Sequence, residues 1–394
     1  MTKLGLIISN DWEVYGDGGG DYFEVQHKPL QEMLTVAEGH GAKVTVMAEV
    51  GQQWAHRELG RTAPWAARIA DAWEEIVRDT VRRKSDVQLH LHPQWINAAC
   101  DGSSWRLHFE NWSIASLPSE VIETVLRRGK EYLETIIKPV DPDYQCVAFR
   151  AGAYCIEPSS KVIPALRNAG IRCDTSVTKG YADPRFFDYR DAHSNVLPWL
   201  TTAASVKYQG QGRDGLLEIP IHSFRYIDSK VLRELLGAVF GQERLWQWVD
   251  RLNFGATARK ADREWRKERN RVVGARYPTS HRPLRGSSTV VKRSIMSPAW
   301  LASACLSWQM RLDYDYTTPG RFVEALHRVI EQCESAGGDA IIPVMSSGHV
   351  KSMHNCQNLD RILSSVDREF EDQVTYWTLR EAVDDWWPRL HATN

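Results

Sequence analysis

The sequence contains no cysteine pair at CxxC spacing and no long apolar run. Its seven cysteines are scattered over 394 residues, which argues against a cysteine zinc site and favours reduced thiols over a disulfide framework. No run approaches the roughly 20 apolar residues of a membrane span, and the opening LGLIISN is too short for a secretory signal. A net charge of −1 gives no overall attraction to nucleic acids or membrane surfaces. We therefore expect a cytoplasmic protein without a membrane span.

Short runs rich in Val and Ile alternate along the chain with amphipathic stretches of helical length. This alternation is typical of repeated βα units, and it predicts an α/β fold with a parallel sheet or a distorted barrel. The predicted strands are residues 4–9, 43–48, 86–92, 145–149, 171–174, 216–222, 340–346 and 373–377. The predicted helices include residues 29–39, 64–83, 119–137, 159–169, 320–335 and 358–370. In such barrels the chemistry gathers at the carboxyl ends of the strands.

One basic segment interrupts this pattern. Residues 251–293 contain thirteen lysines and arginines against three acids. We expect them to belong to a helical insertion over residues 228–310. The insertion is either a solvated helical excursion or a lid whose charge binds a phosphorylated or nucleotide-linked substrate.

Acids and histidines follow two of the predicted strands. Asp11 and Glu13, in SNDWE, share one face at the end of the first strand, where buried carboxylates are costly without a cation. His90 and His92, in DVQLHLHP, share one face of the third strand about 6.6 Å apart, close enough for both rings to bind one metal. The pattern predicts a divalent metal site, with zinc as the first choice and iron, cobalt or nickel as alternatives.

Further polar residues follow the later strands. Arg150 comes directly after an apolar run and needs an acid, for which Asp11 is the candidate. Asp174 either hydrogen-bonds Arg150 or caps its own loop. His349, after IIPVMSSG, is expected in the barrel mouth, where an imidazole serves as a general acid near neutral pH. His222 is expected to be an ordinary wall histidine.

The order of these motifs resembles that of the polysaccharide deacetylase superfamily, of the NodB-homology or carbohydrate esterase 4 type. The resemblance covers the chain except for the basic segment. It comprises the acidic pair, the histidine pair, Arg150-x-Gly152-x-Tyr154, Asp174-x-x-Val177, the EIP of residues 218–220 and the late His349.

The resemblance implies a single distorted (β/α)7 barrel domain over residues 1–394 that removes an N- or O-acetyl group from a sugar or polysaccharide precursor. It implies the base Asp11, the acid His349, the base-orienting Arg150 and the metal ligands Glu13, His90 and His92. The NDWE spacing also allows Asp11 as a metal ligand, with Asn10 in the position of the base. Independently of the resemblance, an amide near Tyr154 is expected to hold the oxyanion. Trp12, Trp95 and Tyr154 are expected to line the substrate pocket because they are adjacent in sequence to the predicted ligands, and Asp174 is a further expected substrate contact.

Two other classes of protein fit parts of this pattern. Another metal-dependent amidohydrolase or phosphoesterase-type barrel would also use an HxH pair, although those enzymes usually carry it on the first strand. A non-catalytic carbohydrate- or nucleic-acid-binding barrel would use the basic segment as its contact surface. We expect a carbohydrate partner, regard nucleic acid as the weaker alternative, and leave the oligomeric state open.

Overall fold

A curled, mostly parallel β-sheet forms the centre of the structure. The structure is a computed structural model that describes residues 2–102, 104–183, 186–212, 214–227, 307–334, 340–353 and 356–392. The strands in this part of the chain are β1 Lys3–Trp12, β2 Val44–Glu49, β3 Asp86–Leu91, β4 Ala99–Asp101, β5 Ser104–Arg106, β6 Ala148–Ala151, β7 Cys173–Asp174, β8 Ala182–Asp183, β9 Phe187–Asp188, β10 Trp199–Leu200, β11 Leu217–Glu218, β12 Ser223–Ile227, β13 Ser307–Arg311, β14 Ile341–Gly348 and β15 Val374–Tyr376.

The main sheet has the order β10-β11-β7-β6-β3-β2-β1-β14, and β15 pairs with β1 beside it. β10 pairs with β11 in antiparallel orientation, whereas β1, β2 and β3 pair in parallel. A parallel bridge joins Ile221, shortly after β11, to Met345 of β14, and the His222 amide donates to the Met345 carbonyl at 2.9 Å. The sheet therefore curls in the manner of a distorted barrel.

Helices cover the sheet, and the structure adds two helices, Val50–Leu59 and Leu379–Ala392, to those that the sequence pattern predicts. They are α1 Lys28–Gly39, α2 Val50–Leu59, α3 Pro64–Arg82, α4 Ser119–Ile137, α5 Val162–Asn168, α6 Pro319–Glu334, α7 Gln357–Phe370 and α8 Leu379–Ala392. A short π-helix, Phe23–His27, precedes α1. The 3₁₀ turns are Pro93–Trp95, Phe109–Asn111, Ile114–Ser116, Gly152–Tyr154, Val350–Ser352 and Glu371–Gln373. Within the described ranges, no helix combines the length and the apolar character that crossing a membrane requires.

The core lies on both faces of the sheet. Every residue of β3 is buried, as expected for a parallel strand covered on one side by helices and on the other by the barrel interior. Gly129 of α4 allows this helix to approach closely, because a Cβ there would lie 2.7 Å from Cδ1 of Leu89. Since side chains alternate along a strand, Leu89 points towards α4 and His90 points towards the interior.

The chain divides into two compact units, residues 1–223 with 311–394, and residues 224–310. Of the second unit, the structure describes only residues 224–227 and 307–310, which belong to the strand pair β12 and β13. The predicted insertion at 228–310, apart from its last four residues, and the whole basic segment lie outside the described residues, as does His354.

Candidate functional site

Four buried side chains from three adjacent strands converge at the carboxyl end of the sheet. Glu13 follows β1, Glu49 ends β2, His90 belongs to β3 and His92 follows β3. Each offers one donor atom, and the four donor atoms lie within 4.8 Å of one another. The parallel register brings them together, because neighbouring parallel strands end at the same edge of a sheet.

The orientation of His90 is set by a backbone contact. Its Nδ1 lies 2.8 Å from the carbonyl oxygen of Arg150, which can only accept, so Nδ1 carries the proton and Nε2 keeps its lone pair. Nε2 is buried, has no hydrogen-bond partner in the described structure, and lies 3.8 Å from Oε2 of Glu13. A buried nitrogen of this kind is typical of a position that a bound ion completes.

His92 faces the same oxygen. Its Nε2 lies 2.7 Å from Oε2 of Glu13, and its Nδ1 lies 2.9 Å from the side-chain amide of Gln94. The amide nitrogen of Gln94 donates to Nδ1, so Nε2 carries the proton that faces Oε2 of Glu13. The Nε2 atoms of both imidazoles are therefore directed at the Glu13 carboxylate.

Glu49 is a member of this group that the sequence analysis missed. Its Oε1 accepts from the Gly51 amide at 2.7 Å, and its Oε2 accepts from the His92 amide at 2.6 Å. It therefore caps α2 and also fixes the backbone of His92. Burial, with the nearby Glu13 charge, raises the pKa of Glu49 to about 8, although His92 opposes the shift. The signal was present in VMAEVG, but the predicted strand ended one residue before the glutamate.

The donor set fits a divalent cation. Imidazole nitrogens and carboxylate oxygens are ligands that zinc accepts, and a bound cation would replace the Nε2 proton of His92. Burial alone would raise the pKa of Glu13, but His92, Lys351 and His90 together lower it well below its usual value, so Glu13 is ionised. The residues present therefore match the ligand types of the predicted metal site.

Asp11 lies beside the four donors but contacts different partners. Its Oδ1 accepts from Nη1 of Arg150 at 2.5 Å, and its Oδ2 lies 3.3 Å from the Tyr154 hydroxyl and 3.4 Å from Nε2 of His349. Burial alone would raise the pKa of Asp11, but the charge of Arg150, assisted by His90 and His349, lowers it far below its usual value. The carboxylate is therefore ionised.

Asn10 points away from this group. Its Nδ2 donates to the hydroxyl of Tyr314 at 2.8 Å, on the opposite face of β1 from Asp11. The position that the alternative assignment gave to Asn10 is thus outside the site, whereas Asp11 lies within it.

Arg150 is completely buried and its side-chain donors are directed at neighbouring strands. Nε donates to the Thr175 carbonyl at 3.1 Å and Nη2 donates to the Ser9 hydroxyl at 2.9 Å, in addition to the contact with Asp11. A guanidinium fixed at three points holds the Asp11 carboxylate in one orientation.

His349 and Lys351 reach the site from the segment after β14. His349 Nε2 lies 4.0 Å from Oε1 of Glu13 in addition to its contact with Asp11. Burial lowers the pKa of His349 to about 4, and Asp11 only partly opposes this shift. Lys351, which the sequence analysis did not select, donates to Oε1 of Glu13 and to the Val14 carbonyl at 3.3 Å. In the sequence, the indication for Lys351 is its position two residues after His349.

Two tryptophans expected at the pocket lie elsewhere. The Trp12 indole is buried on the other face of β1, where it packs against Trp73 at 5.2 Å and donates to the Gln26 carbonyl at 3.0 Å. Strand alternation explains this position, because Trp12 lies between two residues that face the interior. Trp95 is 3% exposed and packs against Trp105 at 5.3 Å. Both indoles therefore pack against other aromatic side chains and are buried.

Asp174 and His222 have local hydrogen-bond partners. Asp174 is buried and accepts from the Ser176 hydroxyl at 2.9 Å and the Ser176 amide at 3.1 Å, so it caps its own loop. His222 is a buried wall residue whose Nδ1 contacts the Asn195 carbonyl at 2.9 Å. Trp112, which the sequence pattern did not indicate, lies on a loop with its ring centre 6.1 Å from that of His92.

Gly152 provides the room that His92 occupies. A Cβ at residue 152 would lie 2.6 Å from Cγ of His92, and the two residues that follow have positive φ values of 51° and 61°. We expect Gly152→Ala to displace the imidazole and to cost about 1–3 kcal/mol of stability by overpacking. Metal affinity should fall together with the melting temperature.

A matched control for this substitution is Gly39→Ala, since nothing lies within 4 Å of a Cβ at residue 39. That variant should keep its metal affinity and its melting temperature. Equal metal affinity in Gly152→Ala and the unmodified protein, measured by titration calorimetry, would show that the loop does not position His92.

Comparisons with known proteins give only a distant likeness. No protein-family model matches the chain, and no curated protein sequence matches it. A protein assigned as a polysaccharide deacetylase from Mycobacterium smegmatis is 12% identical, with a TM-score of 0.46 over 99% of this chain and 92% of that one. PuuE allantoinase is 9% identical, with a TM-score of 0.41 over 100% and 92%. A protein assigned to the same deacetylase class from Pseudomonas aeruginosa PAO1 is 11% identical, with a TM-score of 0.41 over 98% and 91%. At such identities and scores, these proteins indicate no function for the chain.

Proposed function

We propose that the chain is a metal-dependent hydrolase that removes an N-acetyl or O-acetyl group from a sugar or polysaccharide precursor, within a distorted (β/α)7 barrel. One observation carries the proposal: the ionised Asp11, held by Arg150, lies beside Glu13, His90 and His92, whose donor atoms converge. A base next to a cation site at the carboxyl end of a sheet suits hydrolysis of an acyl bond.

Glu13, His90 and His92 would hold the cation, with Glu49 fixing the backbone of His92. When bound, a divalent metal lowers the pKa of water towards 7 and polarises an acyl carbonyl. Lys351 keeps the second oxygen of Glu13 in place through its ion pair. These contacts support a common role of Glu13, Glu49, His90, His92 and Lys351 in binding one cation.

Asp11 accepts the proton of the attacking water at Oδ2. Arg150 occupies Oδ1, so the other oxygen faces His349 and the Tyr154 hydroxyl. Because Arg150 keeps the carboxylate ionised, Asp11 can accept a proton at any pH near neutrality. Arg150 is a positioning residue in this scheme, since it acts through Asp11.

His349 delivers a proton to the leaving amine or hydroxyl. Its pKa of about 4 makes the free ring neutral near pH 7, so it holds an additional proton only while the proton passes from Asp11 to the leaving group. The 3.4 Å between Nε2 and Oδ2 of Asp11 suits this transfer. The side chain is 20% exposed, which leaves it accessible to a substrate.

The proposal is tested by measuring bound metal and released acetate on the purified full chain. The substrates are N-acetylglucosamine, its oligomers, O-acetylated sugars and nucleotide-linked N-acetyl sugars. Acetate release that requires metal supports the proposal. Bound metal with hydrolysis of other amides or of phosphoesters would support the amidohydrolase or phosphoesterase alternative, and a metal-free, inactive protein that binds sugar would support a non-catalytic role.

Removal of the metal should abolish acetate release and lower stability. A ligand that binds the folded state and is present at 100 times its Kd contributes about 2.7 kcal/mol to the free energy of unfolding. Dialysis against a chelator should therefore lower the melting temperature, and zinc should restore both properties. Unchanged melting after chelation, with the metal shown to be gone by elemental analysis, would argue against this site.

A further inference from the structure

Arg311 is a partly exposed cation beside the candidate active site that the proposed mechanism does not use. It ends β13, and its side chain is 25% exposed. Its guanidinium carbon lies 5.1 Å from the ring centre of Tyr154 and 5.7 Å from that of Tyr181. Aromatic contacts of this kind fix a guanidinium in place without using its N–H donors.

The charge of Arg311 is only loosely paired. Within the described residues its ion-pair partner is Asp313, and the 3.8 Å between Nη2 and Oδ2 is longer than a hydrogen bond. The other oxygen of Asp313 accepts from the Asp315 amide at 2.8 Å. Burial raises the pKa of Asp313 to about 6, so the carboxylate stays largely ionised near pH 7, and the distance to Arg311 is what limits their pairing. A guanidinium has five N–H donors, so donors remain for a ligand.

Tyr154 contacts both Arg311 and the proposed base Asp11. The hydroxyl of Tyr154 lies 3.3 Å from Asp11, and its ring contacts Arg311. Tyr154 first, and Asp11 to a smaller extent, raise the pKa of Arg311. Burial lowers the pKa of His349, and the charge of Arg311 adds a smaller contribution in the same direction. The other cations here have partners: Arg150 is buried on Asp11, and Lys351 contacts Glu13.

We propose that Arg311 binds an oxyanionic group of the substrate, a carboxylate or a phosphate, next to the acyl group that is hydrolysed. The proposal rests on the proposed function and narrows its substrate class to acidic or phosphorylated acetylated sugars. Both oxyanions match the planar donor fork of a guanidinium, whereas a neutral sugar would leave the charge without a partner.

The experiment compares kcat/KM for acetate release from three sugars that differ in charge: N-acetylglucosamine, N-acetylglucosamine 6-phosphate and N-acetylmuramic acid. We expect Arg311→Met to reduce kcat/KM for the favoured anionic sugar by about 10- to 100-fold more than for the neutral sugar. Arg311→Lys keeps the positive charge but not the planar arrangement of N–H donors. Its loss in kcat/KM for the anionic sugar should therefore lie between those of the unmodified protein and Arg311→Met. The anionic sugar that shows the larger loss identifies phosphate or carboxylate as the group bound.

Arg380→Met is the matched control. Arg380 also lies over a tyrosine, 5.9 Å from the ring centre of Tyr144, and pairs with Asp141 at 3.2 Å, but its backbone amide contacts Asp86 at the opposite end of β3. It should retain the substrate preference of the unmodified protein. Equal losses on all three sugars in Arg311→Met would overturn the proposal, because they indicate a structural role.

Titration calorimetry with inorganic phosphate separates this proposal from the proposed function. If the unmodified chain releases no acetate from any sugar, the proposed function fails, but loss of phosphate binding in Arg311→Met and its retention in Arg380→Met would still support the anion site. Phosphate binding that Arg311→Met leaves unchanged would overturn it.

Discussion

Asp11→Asn is expected to lose about 100- to 10,000-fold in the rate of acetate release while retaining the bound metal. The amide side chain has nearly the same shape as the carboxylate but cannot accept the proton of the attacking water. Asp11 is separate from the four converging donors, so the cation should keep its ligands. Elemental analysis and a single-turnover acetate assay measure the two properties on one preparation.

The same substitution removes the counter-charge of a completely buried arginine. An uncompensated buried charge typically costs about 3–5 kcal/mol, so Asp11→Asn should also melt at a lower temperature. The control is Ser9→Ala, which deletes the 2.9 Å contact between the Ser9 hydroxyl and Nη2 of Arg150 but keeps the carboxylate. This variant should lose some stability and retain turnover.

A metal-free Asp11→Asn protein would contradict this division of tasks. In that case Asp11 would be a ligand, as the alternative interpretation of NDWE allows, and the base would have to be another group. Normal turnover in Asp11→Asn, with metal present, would exclude Asp11 as the base.

The sequence was sufficient to predict the convergence of the acidic and histidine pairs, and the reason is geometric. Glu13 and His92 lie far apart in the chain, yet β1, β2 and β3 are neighbours with parallel register, so any residues at their carboxyl ends meet. The same rule would have selected Glu49 had the second strand been extended by one residue. Ending the predicted strand one residue too early does not affect the fold prediction, but it left Glu49 out of the predicted site.

The positions of the aromatic rings and of Arg311 could not be predicted from strand-end geometry. Trp12 is adjacent to two interior-facing residues, and for that reason it faces the opposite side of the strand. Trp112 lies on a loop and Arg311 lies at the end of a strand. Each contacts a residue that is distant in the sequence, Trp112 contacting His92 and Arg311 contacting Tyr154. Neither has a local pattern, because no periodicity in sequence specifies where a loop returns to the barrel mouth.

His92→Ala is expected to lose metal and turnover together. The substitution removes the nitrogen that lies 2.7 Å from Glu13, and metal affinity should fall by more than the roughly 10- to 100-fold that loss of an outer-shell partner typically costs. The control is His56→Ala, which removes another buried histidine, on α2, whose Nδ1 contacts the Gln52 carbonyl at 2.9 Å. Both variants lose a buried ring, but only the first loses a ligand. His56→Ala should therefore bind metal normally despite a lower melting temperature, and equal metal affinity in the two variants would show that His92 is not a ligand.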